Sequence, residues 1–194
     1  MGDRLANLAS RNPHKARELQ ELLPGWTVEP LDSDGYPAEE GPGYYDNARA
    51  KARFGRMMGE FDVWMIGEDS GIEVDGLEGR PGVESARFGG DDPVGQLLEA
   101  LEGVEGDGRR ARYVCELVCL SPELEEARGS GTLEGRIASE PRGSEGFGYD
   151  PIFVPDGETQ TVAELGNAWK REHSHRAKAA AGLLAALEAQ GAEG

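Results

Sequence analysis

Positive charge is scarce in this sequence, and lysine is the scarcer of the two residues that carry it. Only 4 of the 20 basic residues are lysines, against 37 aspartates and glutamates, which gives a formal net charge of −17 at pH 7. A protein that binds nucleic acid nonspecifically needs a basic face, so the composition excludes that class. An anionic substrate would need a local cluster of cations or a metal ion. So acidic a composition is typical of proteins from salt-rich cytoplasms, and the alternative is an acidic, arginine-rich proteome.

Long apolar runs and cysteines are also few. No apolar run approaches the roughly 18 residues that a membrane-spanning helix needs, so we expect no membrane span. The segment from Met1 to Arg4 lacks a basic region followed by an apolar stretch, which predicts no signal peptide and a cytoplasmic protein. On a strand, Cys115 and Cys119 would lie about 13 Å apart, too far for a disulfide, so we expect buried, reduced thiols. The length of 194 residues fits one domain, 1–194.

The stretch from Val63 to Gly71 changes character abruptly. Its apolar first half predicts a strand buried on both faces, and Glu68 and Asp69 follow directly. Ligands of open α/β sheets bind just past the carboxyl ends of such strands. Two unpaired carboxylates buried there would be costly, so they need a cation or a shared proton. We therefore predict that Glu68 and Asp69 hold a divalent metal ion.

The first strand and helix form a second candidate site. Residues 5–9 predict a strand, and Asn12 followed by Pro13 predicts the start of a helix. A helix N-terminus offers free N–H groups and a positive dipole end to an anion, and Ser10, Asn12 and Lys15 add polar groups there. The alternative is an ordinary capped helix with a surface lysine.

Residues 24–43 are rich in proline and glycine and predict a loop that contains a short strand over residues 26–28. A helix over residues 45–58 follows it. Glu39 and Glu40 lie at the end of this loop. Either they are solvated loop acids, or one of them supplies a further carboxylate to the metal ion. Lys51, inside the helix, faces solvent or points back towards a phosphate.

The second half of the chain begins with a predicted helix over residues 93–101 and two long strands, 111–121 and 127–137, which form a hairpin. Such a pair suggests a second lobe or a dimer surface over residues 105–140.

The glycines on either side of Phe147 would let its backbone and ring approach a flat ligand, and aromatic rings stack on bases. The alternative is a glycine-rich turn with core aromatics.

Capping-box spacing at Thr161 and Glu164 predicts a short helix, and residues 177–189 predict a terminal one. Lys170, His175 and Arg176 lie before this terminal helix. They form a cation cluster where the helix dipole also favours an anion. The alternative is a solvated helix start with Ser174 as its N-cap.

These motifs occur in the order seen in a known family. They are Ser10-x-Asn12-x-x-Lys15, Asn47-Ala48-x-x-Lys51-Ala52, Asp69-Ser70-Gly71, Pro81-Gly82, Ser85-Ala86-Arg87, Gly146-Phe147-Gly148-Tyr149-Asp150-Pro151, and Ala163-Glu164 through Lys170 to Ser174-His175-Arg176. The sequence resembles the inosine/xanthosine triphosphate pyrophosphatase (Ham1-like) family over roughly residues 5–185. The resemblance is specific because several ordered motifs carry it.

The resemblance implies an α/β fold with a long central mixed sheet flanked by helices, two lobes with a cleft between them, and a homodimer. It implies hydrolysis of noncanonical purine nucleoside triphosphates such as ITP, dITP and XTP to the monophosphate and pyrophosphate, with Mg²⁺. Asp69 would be the metal ligand and proton acceptor. The residues that it assigns to the substrate are Ser10, Asn12, Lys15, Ser70, Phe147, Gly148, Tyr149, Asp150, Lys170, His175 and Arg176.

Three departures from the family pattern affect the site. Arg11 and His14 replace small residues beside the first helix, and Glu68 replaces the usual first aspartate of the acidic pair. The position of the loop glutamate is ambiguous, so both Glu39 and Glu40 are candidate metal ligands. Two other classes remain as alternatives: a nucleotide-binding regulatory protein without turnover, and a metal phosphohydrolase that releases orthophosphate.

Overall fold

The fold is taken from a computed structural model, which describes residues 4–39 and 41–193. Its strands are β1 (Arg4–Leu8), β2 (Trp26–Pro30), β3 (Trp64–Val74), β4 (Pro81–Gly82), β5 (Arg110–Leu120), β6 (Glu126–Ile137) and β7 (Phe153–Pro155). Its helices are α1 (Pro13–Leu22), α2 (Tyr44–Met58), α3 (Pro93–Ala100), α4 (Val162–His173) and α5 (His175–Glu193). Within these residues, no helix is long and apolar enough to cross a membrane.

The strands form one mixed sheet. Over the described residues it has seven strands in the order β2-β1-β3-β5-β6-β7, with β4 paired to β3 outside this path. Strand β1 pairs in parallel with both β2 and β3, whereas the β3–β4 and β6–β7 pairs are antiparallel. The predicted α/β fold, with a central mixed sheet flanked by helices, is confirmed.

Local sequence signals predicted several element boundaries correctly. Helix α1 begins at Pro13, and its N-cap Asn12 accepts hydrogen bonds from the backbone N–H groups of His14 and Lys15. Helix α4 begins with the predicted capping box, in which Thr161 and Glu164 bond reciprocally. The two cysteines are buried and free, as expected.

Strand β3 differs from the prediction. It does not end before the acidic pair but continues through Glu68 and Asp69 to Val74. The acidic pair does not end the strand, because Ile72 and Val74 beyond it are fully buried and belong to β3 as well. Both acidic side chains are paired with cations inside the protein, so the strand can carry them without a water-exposed end.

The chain divides into two compact units, and β3, β5 and β6 contribute residues to both. Unit 1 comprises residues 1–69, 115–131 and 175–194, and unit 2 comprises residues 70–114 and 132–174. The hairpin of β5 and β6 is thus divided, with residues 115–131 in unit 1.

In unit 1, helices cover both faces of the sheet. Ile66 packs in a core cluster with Leu19 of α1 and Leu183 of α5, whereas its neighbour Met65 packs in a separate cluster with Ala48 of α2. Alternate residues of a strand point to opposite faces, so α1 and α5 lie on one face and α2 on the other.

Two glycines let helices approach the strands of unit 1 at the backbone. A Cβ on Gly67 would lie 1.9 Å from the carbonyl oxygen of Ala48 in α2, and a Cβ on Gly131 would lie 2.1 Å from that of His175 in α5. No side chain fits in either space. Glycine is therefore required where these two helices meet the sheet.

Unit 2 has its own apolar core. Ile72 and Val74 of β3 pack with residues of α3, β5, β6, β7 and α4, including Leu97, Tyr113 and Phe153. Helix α4 is broken at Gly166, whose φ of 85° and ψ of 175° are not helical. The helix therefore stops and restarts within its twelve residues.

Candidate active site

Asp69 lies at the centre of a polar group in unit 1. The side-chain amide of Asn47 donates to Asp69 Oδ2 at 3.1 Å, and Lys51 Nζ donates to Asp69 Oδ1 at 2.9 Å. Lys51 also forms an ion pair with Glu39. Asn47 and Lys51 are four residues apart in α2, so they lie on the same face of the helix and reach one carboxylate together.

Burial governs the protonation of this group. It raises the pKa of the Asp69 carboxyl above its ordinary value, and the ammonium of Lys51 offsets only part of that effect. Burial alone would lower the pKa of Lys51, but the charge of Asp69 and the hydrogen bond to Glu39 raise it instead. Lys51 is therefore a fixed ammonium, and Asp69 is a better proton acceptor than a solvated aspartate.

Glu68, the next residue, has different partners. Its carboxylate is fully buried and lies 2.5 Å from Lys15 Nζ and 2.9 Å from Arg176 Nη2. The Sγ of Cys115 lies 3.6 Å from the same carboxylate. Arg176 Nη1 pairs with Glu18 of α1, so Glu68 and Arg176 connect β3, α1 and the start of α5. Burial raises the pKa of Glu68, but the charges of Lys15 and Arg176 outweigh it and hold this pKa well below its ordinary range.

The structure does not bring the two adjacent carboxylates together. Successive side chains of a strand point to opposite faces. Accordingly, the carboxylate of Glu68 binds Lys15 and Arg176, whereas that of Asp69 binds Lys51. The two carboxylates therefore pair with different cations, and Glu68 as a metal ligand stays a prediction.

No preformed metal site is present in residues 4–39 and 41–193, where no three carboxylate, histidine or cysteine side chains gather closely enough to hold an ion. Glu40, one of the predicted ligands, lies outside the described residues. Glu39 and Asp69 do converge, because both bind the single ammonium of Lys51. Two oxygen-donor carboxylates around one cation suit Mg²⁺, which takes few protein ligands and completes its sphere with water and phosphate oxygens.

The N-terminus of α1 is a well-formed cap. Asn12 Oδ1 accepts from the N–H groups of His14 at 2.9 Å and Lys15 at 3.4 Å, while Ser10 Oγ accepts from the N–H of Asn12 at 3.2 Å. The Arg11 guanidinium donates a hydrogen bond to the carbonyl oxygen of Asp34. This arginine is therefore held by the loop that follows β2, and phosphate binding at the start of α1 stays a prediction.

A second polar group lies within unit 2 and is centred on Asp150. Its Oδ2 accepts from the backbone N–H of Phe147 at 2.9 Å and from Lys170 Nζ at 2.8 Å, and Tyr113 donates to Oδ1 at 3.3 Å. Lys170 Nζ also lies 4.6 Å from the centroid of the Phe147 ring. Phe147 and Lys170, both predicted substrate contacts, are therefore held together by one carboxylate.

The remaining predicted substrate residues are Tyr149, Gly148, Ser70 and His175. Tyr149 points into the core of unit 2, where it donates to the carbonyl oxygen of Ser85 at 3.0 Å and burial raises its pKa to about 12. Gly148 is exposed with φ of 62°, and Ser70 is half-buried beyond Asp69. His175 is buried at the start of α5.

Sequence reasoning missed most of the partners of these residues. Asn47 was seen only as part of a motif, although its spacing from Lys51 places both on one helical face. Glu18 lies three residues after Lys15 in α1, a spacing that could have indicated a shared site. Tyr113 and Cys115 gave no signal, because their contacts depend on strand pairing between distant segments.

Comparisons with known proteins agree with this architecture. A model of the Ham1 family matches residues 6–186. The dITP/XTP pyrophosphatase of Bdellovibrio bacteriovorus is 39% identical over 192 residues, which cover 93% of this chain and 96% of that protein. The dITP/XTP pyrophosphatase of Bacillus subtilis is 39% identical over 194 residues, covering 95% and 97%.

Solved structures match as well. The Ham1 protein of Staphylococcus aureus has a TM-score of 0.82 at 32% identity and covers 96% of this chain and 100% of its own. A HAM1 protein from Coxiella burnetii has a TM-score of 0.83 at 33% identity, with coverage of 96% and 99%. Similarity of sequence and of backbone thus extends over nearly the whole chain.

Proposed function

The chain belongs to the Ham1 family, and from that premise we propose that it hydrolyses noncanonical purine nucleoside triphosphates such as dITP, ITP and XTP. The products are the nucleoside monophosphate and pyrophosphate. One observation carries the proposal: relatives named dITP/XTP pyrophosphatase match almost end to end, at 39% identity over 96–97% of their length. Such an enzyme removes these nucleotides from the precursor pool.

The chemistry centres on Asp69. A water molecule attacks the α-phosphorus, the bond to the leaving pyrophosphate breaks, and the Asp69 carboxylate takes the proton from the water. Its raised pKa suits this role, because a general base works best when its pKa is closer to the working pH. Asn47 and Lys51 hold both carboxylate oxygens in place, so the base is oriented before substrate arrives.

Asp69 and Glu39 would hold Mg²⁺, with Glu40 as a further candidate. Bound there, Mg²⁺ would offset the charge of the triphosphate and polarise the phosphorus towards attack. Lys51, already between the two carboxylates, keeps them together without metal. Glu68 has a different role, because its carboxylate holds Lys15 and Arg176.

The remaining substrate contacts divide between phosphate and base. Lys15 is the cation that we assign to the phosphates, with Ser10 and Asn12 beside it at the start of α1. Phe147 offers a ring for stacking on the purine, and Lys170 lies over the same ring.

Discrimination against adenine needs donors aimed at O6 of the base, since a 6-amino group would leave them unpaired. His175 is a candidate for that donor.

Arg176 fits the predicted substrate contact less well. Its side chain is 2% exposed, and two carboxylates bind its terminal nitrogens. We therefore propose that it chiefly holds α1, β3 and α5 together.

The family resemblance further leads us to propose a cytoplasmic homodimer.

A product assay with separate detection of pyrophosphate and orthophosphate tests the proposal. The protein is incubated with Mg²⁺ and ITP, XTP, dITP, ATP or GTP. We expect pyrophosphate from ITP, dITP and XTP and much slower reaction with ATP and GTP. In the same assay Asp69→Asn should release little pyrophosphate, because it lacks the proposed base. Asp75→Asn is its matched control, because Asp75 is an exposed residue just after the same strand. Absence of pyrophosphate from all three noncanonical nucleotides would refute the proposal, and orthophosphate as the first product would favour a different phosphohydrolase.

A further inference from the structure

The break in α4 creates a second helix start inside unit 2. The first turn is capped by Thr161 and Glu164, but Gly166 interrupts the helix and the backbone resumes helical geometry at Asn167. A restarted helix has N–H groups without intrahelical acceptors. The N–H of Asn167 is satisfied from outside the helix, because it donates to Glu145 Oε2 at 2.8 Å.

Glu145 belongs to the loop that carries Phe147. The backbone N–H of Glu145 donates to the carbonyl oxygen of Ala163 in the first half of α4 at 3.3 Å. Its side chain caps the second half. One residue therefore contacts both sides of the break and is only two positions from the proposed base-stacking ring.

The capped segment in turn carries Lys170. That residue is three positions beyond Asn167, about one helical turn, and its ammonium binds Asp150 at 2.8 Å. Asp150 also accepts a hydrogen bond from the backbone N–H of Phe147. The contacts therefore run from Glu145 through α4 and Lys170 to Asp150, and from there back to the loop that carries Glu145. Movement of the segment would displace the ammonium from both the carboxylate and the aromatic ring.

We propose that Glu145 is a positioning residue for the base-binding group of unit 2: it caps the restarted segment of α4 and so sets where Lys170 and Phe147 lie relative to each other. This inference rests on the proposed function. Glu145 acts through the helix and the loop and has no assigned contact with substrate. It affects affinity for the base and leaves the phosphate contacts of unit 1 unchanged.

The backbone geometry at Gly166 explains why a glycine lies opposite the carboxylate of Glu145. A Cβ on Gly166 would lie 3.0 Å from Glu145 Oε2, and its φ of 85° disfavours any side chain there. A carboxylate at a helix start also interacts favourably with the positive end of the dipole. Glu145 is exposed as a residue, so its removal leaves no buried charge and should not unfold the protein.

The experiment compares Glu145→Ala and Glu145→Gln with Glu172→Gln, an exposed control on the same segment of α4. The first readout is the Kd of inosine monophosphate by calorimetry, which needs no hydrolysis. We expect Glu145→Ala to raise this Kd about 3- to 10-fold, the effect that loss of a helix cap has on an equilibrium, and Glu145→Gln to raise it less. The control should match the wild type.

Two further measurements separate positioning from a general structural effect. Glu145→Ala should raise KM for dITP by the same factor with kcat almost unchanged, while inhibition by pyrophosphate stays constant. Amide hydrogen exchange should accelerate at residues 167–170 and not in α1. Unchanged Kd and unchanged exchange in Glu145→Ala would overturn the inference, as would an equal loss of affinity for pyrophosphate. If the wild type releases no pyrophosphate from dITP, the proposed function fails, whereas the exchange and monophosphate measurements still decide the role of Glu145.

Discussion

Glu68→Gln is the most informative single substitution in unit 1. Glutamine keeps the shape of the side chain but removes the charge that two cations share, Lys15 at 2.5 Å and Arg176 at 2.9 Å. Glu68 is fully buried, so water cannot replace it. Loss of one partner from a buried ion pair costs about 3–5 kcal/mol. For a chain of this length each kcal/mol lowers Tm by about 2–4 °C, so we expect a decrease of about 6–20 °C.

A second buried carboxylate in the same unit provides the control. Glu116 accepts two hydrogen bonds of 2.8 Å from Arg128, but the arginine side chain is 53% exposed. Water can solvate that guanidinium once the carboxylate is gone. We therefore expect Glu116→Gln to cost only about 1 kcal/mol.

Urea denaturation followed by circular dichroism measures both costs. Equal losses in the two variants, or a loss below about 1 kcal/mol for Glu68→Gln, would refute the reasoning from burial.

The same variants also test the metal assignment. If Glu68 only holds Lys15 and Arg176, added Mg²⁺ should raise Tm by the same increment in wild type and in Glu68→Gln. A smaller increment in the variant would instead support Glu68 as a metal ligand.

Three further substitutions address the base, the helix contact and the response to pH. Asp69→Asn should lower kcat by about 100-fold or more with little change in the fold, because Lys51 keeps its pairing with Glu39. Gly67→Ala should cost about 3 kcal/mol or prevent folding, because its Cβ would lie 1.9 Å from a carbonyl oxygen of α2. Burial raises the pKa of Cys119 from 9.0 to about 12, so the neutral thiol stabilises the fold below pH 9. That contribution, up to about 4 kcal/mol, is lost between pH 9 and 12, and Cys119→Ala should flatten the decline.

Each of these has a contrary outcome. Normal turnover by Asp69→Asn would exclude Asp69 as the base. Gly35→Ala, where nothing lies within 4 Å of the added Cβ, is the control for Gly67→Ala, and equal stability of the two variants would contradict the close contact with α2. A decline in stability above pH 9 that is unchanged in Cys119→Ala would assign it to other groups, such as Tyr149.

The features that were predictable from sequence are those with local causes. The start of α1 follows from Asn12 and Pro13, which cap and initiate a helix wherever they occur together. The capping box at Thr161 and Glu164 is equally local. The mixed sheet followed from the resemblance to a family, and the structure confirmed it.

The errors arose where distant segments determine the outcome. Glu68 and Asp69 looked like the end of a strand because two charged residues rarely lie inside one. They are stabilised there by cations that come from elsewhere in the chain, and the Glu68–Arg176 contact spans 108 positions. No local pattern reveals such a partner. The break at Gly166 was also missed, since a glycine within a helix is often tolerated without a kink.

The absence of a side chain at Gly67 has an entropic consequence for Asp69. Helix α2 and strand β3 meet there backbone to backbone, two residues before the carboxylate that Asn47 and Lys51 bind. No side chain separates the helix from the strand at Gly67, so few alternative packings of these two elements compete with the observed one. The base and its two partners are thus ordered when the protein folds. Little conformational freedom is then left to lose on the way to the transition state.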